Sequence, residues 1–174
     1  MTAESSASHS PGSEDFTSPA VADGRLYISH PRDSLWAVDA ATGNKLWQVK
    51  TDASPYTAPV VADGTVYAGR DHGLIALDAA SGEQRWQRRF GEPTWSTPTV
   101  VDGTVYMGSN GWYLWAVDAA TGKKRWKQET GAAHASSPAV ADGTVYIGSE
   151  DHSLWAYVLG VRRRVTVAVR RRRR

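Results

Sequence analysis

The chain has 174 residues, no cysteine, eight Trp, sixteen Gly and a formal charge of +2. With 41% hydrophobic residues and 10% aromatics it can bury a core, and its composition is not that of a disordered chain. The missing Cys excludes disulfide scaffolds, Cys nucleophiles and Cys-rich zinc sites, and no apolar run approaches the roughly 20 residues of a membrane-spanning helix.

The charge is unevenly divided. Residues 162–174 hold eight of the twenty Lys/Arg (Arg162, Arg163, Arg164 and Arg170 to Arg174) and no acid. Residues 1–161 therefore carry 12 basic against 18 acidic side chains, a net of −6. The sequence pI of about 9.0 describes a cationic tail on an acidic body, and the two need separate explanations.

In chain order, residues 1–15 form a Ser-rich opening, expected to be disordered, with neither the basic n-region nor the apolar h-region of a secretory signal. At residue 16 a repeat begins. The run SPAVADGRLYIS (18–29) returns as APVVADGTVYAG (58–69), TPTVVDGTVYMG (97–108) and SPAVADGTVYIG (137–148). Its Asp-Gly pairs start at Asp23, Asp63, Asp102 and Asp142, spaced 40, 39 and 40 apart. A second block, LWAVDAATGNKLW (35–47), returns as LIALDAASGEQRW (74–86) and LWAVDAATGKKRW (114–126). The one missing residue of repeat two lies between Tyr67 and Leu74.

Each unit reads as four short strands. Pro-x-Val running into Asp-Gly is a strand entering a two-residue hairpin, which needs φ > 0. Thr-Val-Tyr-x-Gly is a β-branched and aromatic second strand. After a polar turn (Asp71-His72-Gly73, Asn110-Gly111), Leu-Trp-Ala-Val-Asp makes the third. Asp-Ala-Ala-Thr-Gly is a longer turn in which the Asp accepts backbone N–H bonds and the Gly takes the left-handed position. The strand around Trp47, Trp86 or Trp126 completes the unit. A four-stranded antiparallel sheet recurring about every 40 residues is the signature of a β-propeller blade. The expected fold is all-β, with blades at about 16–51, 56–90, 95–130 and 135–160.

These residues resemble the PQQ-like repeat family of quinoprotein-type propellers. Its tryptophan-docking motif, Ala-x-Asp-x-x-Thr/Ser-Gly-x-x-x-Trp, matches Ala37–Trp47, Ala76–Trp86 and Ala116–Trp126. The resemblance covers residues 16–160 and implies that each Trp stacks on the neighbouring blade's motif. It assigns a structural, blade-docking role to Trp47, Trp86 and Trp126, to Asp39, Asp78 and Asp118, and to Gly43, Gly82 and Gly122.

The family's rings hold seven or eight blades, and the fourth blade here departs from the pattern. Val158 stands at the motif Asp, and Thr166 falls at the docking-Trp position. Val165 to Val169 alternates well enough for a substitute outer strand, and residues 161–174 read as an Arg-rich tail, an atypical last strand or disordered. The chain reads as part of a longer, truncated or frame-shifted propeller, as one half of a homodimer completing a ring, or as a small four-blade domain. An array that leaves blade faces uncovered is expected to self-associate or to be marginally stable.

Loop positions outside the repeat are the candidate partner site. Phe16, Tyr56, Trp95 and Ala135 stand three residues before each strand-opening Pro, on connections that crowd one mouth of the channel. Three aromatics in four equivalent places could stack against a ring-shaped, sugar or peptide ligand, with His134 beside the fourth. His30, Asp71, His72, Asp151 and His152 lie on neighbouring turns, too dispersed for one metal site. The family resemblance implies two functional classes. One is a non-catalytic protein, peptide or glycan interaction or sensor scaffold, as in outer-membrane barrel assembly or the sensor portions of bacterial kinases. The other is a PQQ- and calcium-dependent alcohol or glucose dehydrogenase, of which this chain would be a fragment. The scaffold is expected, with no catalytic residue, neither PQQ nor calcium, no nucleic-acid partner and no transmembrane segment. The family resemblance implies an extracytoplasmic setting, although the chain shows no export signal and a cytoplasmic one remains open.

Overall fold

The computed structural model describes residues 17–30, 34–51, 57–131 and 136–159, and the backbone of 163–167. Sixteen strands form four antiparallel four-stranded sheets, one per repeat, with no helix among the described residues. The first sheet is β1 (Ala20–Ala22), β2 (Arg25–His30), β3 (Ser34–Asp39) and β4 (Lys45–Lys50). The second is β5 (Val60–Ala62), β6 (Thr65–Arg70), β7 (Gly73–Asp78) and β8 (Gln84–Arg89). The third is β9 (Thr99–Val101), β10 (Thr104–Ser109), β11 (Tyr113–Asp118) and β12 (Lys124–Glu129). The fourth is β13 (Ala139–Ala141), β14 (Thr144–Gly148), β15 (Leu154–Val158) and β16 (Arg163–Val167). The strands of each sheet are joined in sequence order, the meander of a propeller blade.

Local chemistry fixes the first hairpin of each blade. Asp23 and Gly24 have φ of 49° and 71° and bridge Ala22 and Arg25. Both central residues are left-handed, as a two-residue turn matched to strand twist requires. The pattern recurs at Asp63-Gly64, Asp102-Gly103 and Asp142-Gly143. The inner strands lie side by side in chain order, β1 next to β5, β5 to β9 and β9 to β13. Thr97 N donates to Ser137 Oγ at 3.0 Å across the last of these junctions.

The core is three slabs between blades. Tyr27, Leu35 and Ala37 of blade one meet Val66, Ala68, Ile75 and Leu77 of blade two. Tyr67, Leu74, Ala76 and Trp86 meet Val105, Met107, Trp115 and Val117 of blade three. Tyr106, Leu114 and Ala116 meet Val145, Ile147, Trp155 and Tyr157 of blade four. Middle blades are thus covered on both faces, and β6 and β7 are buried along nearly their whole length. Each fully buried aliphatic side chain contributes about 1.5–3 kcal/mol, so stability resides in the junctions more than within a sheet. The propeller is partial, with three junctions for four blades.

Blade four differs from the sequence expectation in register. In blades one to three the third and fourth strands shift register after the motif Ala, so that Ala37, Ala76 and Ala116 oppose Trp47, Trp86 and Trp126. In blade four the ladder runs unshifted from Val158↔Arg163 to Leu154↔Val167, and Ala156 opposes Val165. The docking position is therefore Val165 and not Thr166. The physical reason is the turn: without Asp-Ala-Ala-Thr-Gly there is no bulge to add the extra residue. The substitute strand starts at Arg163, ahead of the alternating run. No helix among the described residues is long and apolar enough to cross a membrane.

Candidate functional site

At the blade junctions the motif residues converge on a single backbone acceptor. Trp47 Nε1 donates to Ala79 O at 3.2 Å, and Tyr27 Oη donates to the same carbonyl at 3.1 Å. One blade on, Trp86 Nε1 and Tyr67 Oη share Ala119 O at 2.9 and 3.1 Å. The indole lies flat against the next turn, where only a glycine fits. A Cβ on Gly82 would fall 2.8 Å from Trp47 Cδ2, and one on Gly122 would fall 2.5 Å from Trp86 Cε3. Both glycines also have positive φ, 77° and 67°. Gly43, with φ of 73°, has the same turn with nothing within 4 Å of a Cβ.

The motif carboxylates are acceptors within their own turns. Asp78 Oδ1 accepts from the Ala80 and Ser81 amides, both at 2.9 Å, while Oδ2 takes Arg85 Nη2 at 2.7 Å. Asp118 accepts from Thr121 N and Oγ1 at 2.9 and 2.8 Å and from Arg125 Nη2 at 2.8 Å. Asp39 has the Ala41 and Thr42 donors, and Leu46 stands at the sequence position where its counterparts have Arg. The Arg85 guanidinium holds Asp78 well below the ordinary carboxylate range. Arg125 and Thr121 lower Asp118 to about 2, and the Thr42 hydroxyl and amide lower Asp39. Such fully engaged carboxylates stay ionised at neutral pH and are poor proton donors.

The loop face is built differently. The connection from β8 to β9 and the turn from β10 to β11 lie on one end of the blades. Thr94 Oγ1 donates to Gly73 O at 3.0 Å, and Asn110 N donates to Pro93 O at 2.8 Å. Gly111 rests against Glu92, where a Cβ would fall 2.3 Å from its Cγ. This end carries two open indoles, Trp95 at 50% and Trp112 at 54% exposure. Trp112 has φ of 66°, as does His152 in the matching turn of blade four. A bulky side chain in the left-handed region is uncommon and strained. Thr130 N and Oγ1 both donate to Trp112 O, at 2.8 and 2.9 Å, and pin that turn from the next connection. The residue missing from repeat two falls in this same turn, where Asp71-His72 bridges Arg70 and Gly73.

Of the aromatic set expected on this face, Trp95 is described, while Phe16, Tyr56 and His134 lie outside the described residues. His72 Nε2 pairs with Asp71 Oδ2 at 3.1 Å, and His30 stacks on Trp36 at 5.1 Å. Trp112 was not singled out by the sequence, because it sits in a turn the repeat leaves variable. Its signal was its place beside the repeat-two deletion. Among the described residues no three His, Cys, Asp or Glu side chains come together as a metal-binding set.

The family model for the outer membrane protein assembly factor BamB matches residues 5–96 and 71–163. Among solved structures, BamB from Moraxella catarrhalis is similar with a TM-score of 0.74 and 24% identity, over 81% of this chain and 45% of that one. The quinohemoprotein alcohol dehydrogenase from Comamonas testosteroni gives 0.75 and 20%, over 87% and 34%. The computationally designed Ika4 protein gives 0.76 and 16%, over 92% of this chain and 100% of that one. The family model bears out the PQQ-like resemblance, and the solved structures bear out the propeller fold; at such identities their likeness is one of fold alone. The chain spans less than half the length of the BamB chain and about a third of the dehydrogenase. No curated protein matches it.

Proposed function

Since this chain belongs to the family of the outer membrane protein assembly factor BamB, we propose that it is a non-catalytic interaction propeller. It binds a protein segment through the loop face bearing Trp95 and Trp112. The observation that carries this reading is the pair of half-exposed indoles on one end of the array, one of them held at φ of 66°. Backbone strain in a bulky residue is retained where an exposed side chain has work to do. Indoles supply rigid contact area at low entropic cost, the property of binding hot spots. In keeping with the family, its setting is extracytoplasmic.

The test is selection of a displayed peptide library on the full chain, followed by titration of the recovered peptide. Trp95→Ala and Trp112→Ala should each weaken binding about tenfold or more with unchanged circular dichroism. A selected peptide that binds the double variant as tightly would remove the loop face from the proposal. A parallel incubation with PQQ and Ca²⁺ addresses catalysis: dye reduction with an alcohol or glucose would overturn the non-catalytic reading.

A further inference from the structure

We infer that the two end faces of the array bind a second copy of this chain, blade four of each copy docking head to tail on blade one of the other. Blade one presents Leu26, Ile28 and Val38, all half-buried, with Ala40 exposed. Their counterparts Val66, Ala68 and Leu77 in blade two, and Val105, Met107 and Val117 in blade three, are fully buried against the preceding blade. Blade four presents Tyr146 and Leu154, also half-buried. Their counterparts Tyr27, Tyr67 and Tyr106, and Leu35, Leu74 and Leu114, are buried against the following blade.

The two faces are therefore the halves of a junction that the chain already makes three times. In register, Tyr146 of one copy is placed as Tyr27 and Tyr67 are, whose hydroxyls reach Ala79 O and Ala119 O. Its acceptor is Ala40 O of the other copy. A heterologous contact made twice about a two-fold axis closes the assembly and leaves no end face open. The extent fits: one copy covers 45% of the BamB chain from Moraxella catarrhalis, so two together match the length of one. In blade four the backbone register pairs Ala156 with Val165, where blades one to three pair the motif Ala with a Trp. The junction between copies thus keeps the tyrosine and loses the tryptophan, which makes it weaker than the internal junctions and reversible on dilution.

Sedimentation of the full chain tests this. Twice the 18.9 kDa chain mass is expected at high micromolar concentration, falling toward one chain mass on dilution. Ile28→Glu and Tyr146→Glu should each abolish the dimer, and mixing the two variants should restore an open pair through the one intact junction. Circular dichroism and the thermal midpoint establish that each variant folds. Should either fail to fold, Ala40→Cys and Tyr146→Cys provide a second measurement in this Cys-free chain. A short bismaleimide should join those two variants to each other far faster than either to itself. A monomer at all concentrations, an assembly larger than two copies, or a dimer indifferent to both substitutions would overturn the inference. Monomers would leave the end faces to further blades of a longer polypeptide.

Discussion

Replacing Gly43, Gly82 and Gly122 one at a time by alanine separates backbone strain from blade contact. All three occupy the left-handed region, with φ of 73°, 77° and 67°, where an L side chain costs about 1–2 kcal/mol. That term is common to the series. At Gly43 nothing lies within 4 Å of the new Cβ, so Gly43→Ala should cost only the common term. At Gly122 the Cβ falls 2.5 Å from Trp86 Cε3. Trp86 is 8% exposed and fixed to Ala119 O, so it cannot swing away. Overpacking of this kind adds about 1–3 kcal/mol, and Gly122→Ala should lose about 2–5 kcal/mol in all. Gly82 falls between, because the Trp47 ring it meets at 2.8 Å is half-exposed and can yield. The assay is equilibrium urea unfolding at fixed protein concentration, followed by circular dichroism and indole fluorescence. Equal losses at all three positions would refute the reasoning, since they would leave the indole contact without effect.

Three further predictions follow from the same junctions and turns. Trp86→Ala should cost about 3–5 kcal/mol and Trp86→Phe only about 1 kcal/mol, because Ala119 O keeps the Tyr67 hydroxyl as a donor; urea unfolding distinguishes the two. Asp118 has a folded pKa near 2 against an ordinary value of 3.8. A carboxylate lowered on folding adds stability above its unfolded pKa, and that addition is lost as pH falls through the folded value. The thermal midpoint should therefore decline between about pH 4 and pH 2, and Asp118→Asn should flatten that decline while lowering the midpoint at pH 7. Leu46→Arg should raise the midpoint at low salt and less so at high salt. It gives Asp39 the guanidinium that Asp78 and Asp118 already have.

The loop face shows where sequence reasoning stopped. Trp95 could be named because it stands at a fixed offset from a repeat proline. Trp112 could not, because its turn varies in length between repeats, from two residues after Arg70 to three after Ser109. The acceptors of the docking indoles, Ala79 O and Ala119 O, are backbone atoms of another blade and leave no mark on side-chain identity. The aspartates were legible as turn residues from local spacing. Their arginine partners seven residues on were not, since Arg85 and Arg125 come within reach only once the bulge has set the fourth strand.

The sequence by itself determined the blades. Asp-Gly pairs, Val-Tyr alternation and the Asp-to-Gly turn act over a few residues, where φ preferences and pleat period decide the outcome without reference to the rest of the chain. Tertiary structure alone decided what each blade face does. Leu26 and Val66 occupy the same place in the same repeat, yet one is half-buried and the other is fully buried. The difference is whether a preceding blade covers it. Burial belongs to a pair of blades, so equivalent positions of the same repeat take different environments according to whether a neighbouring blade stands beside them.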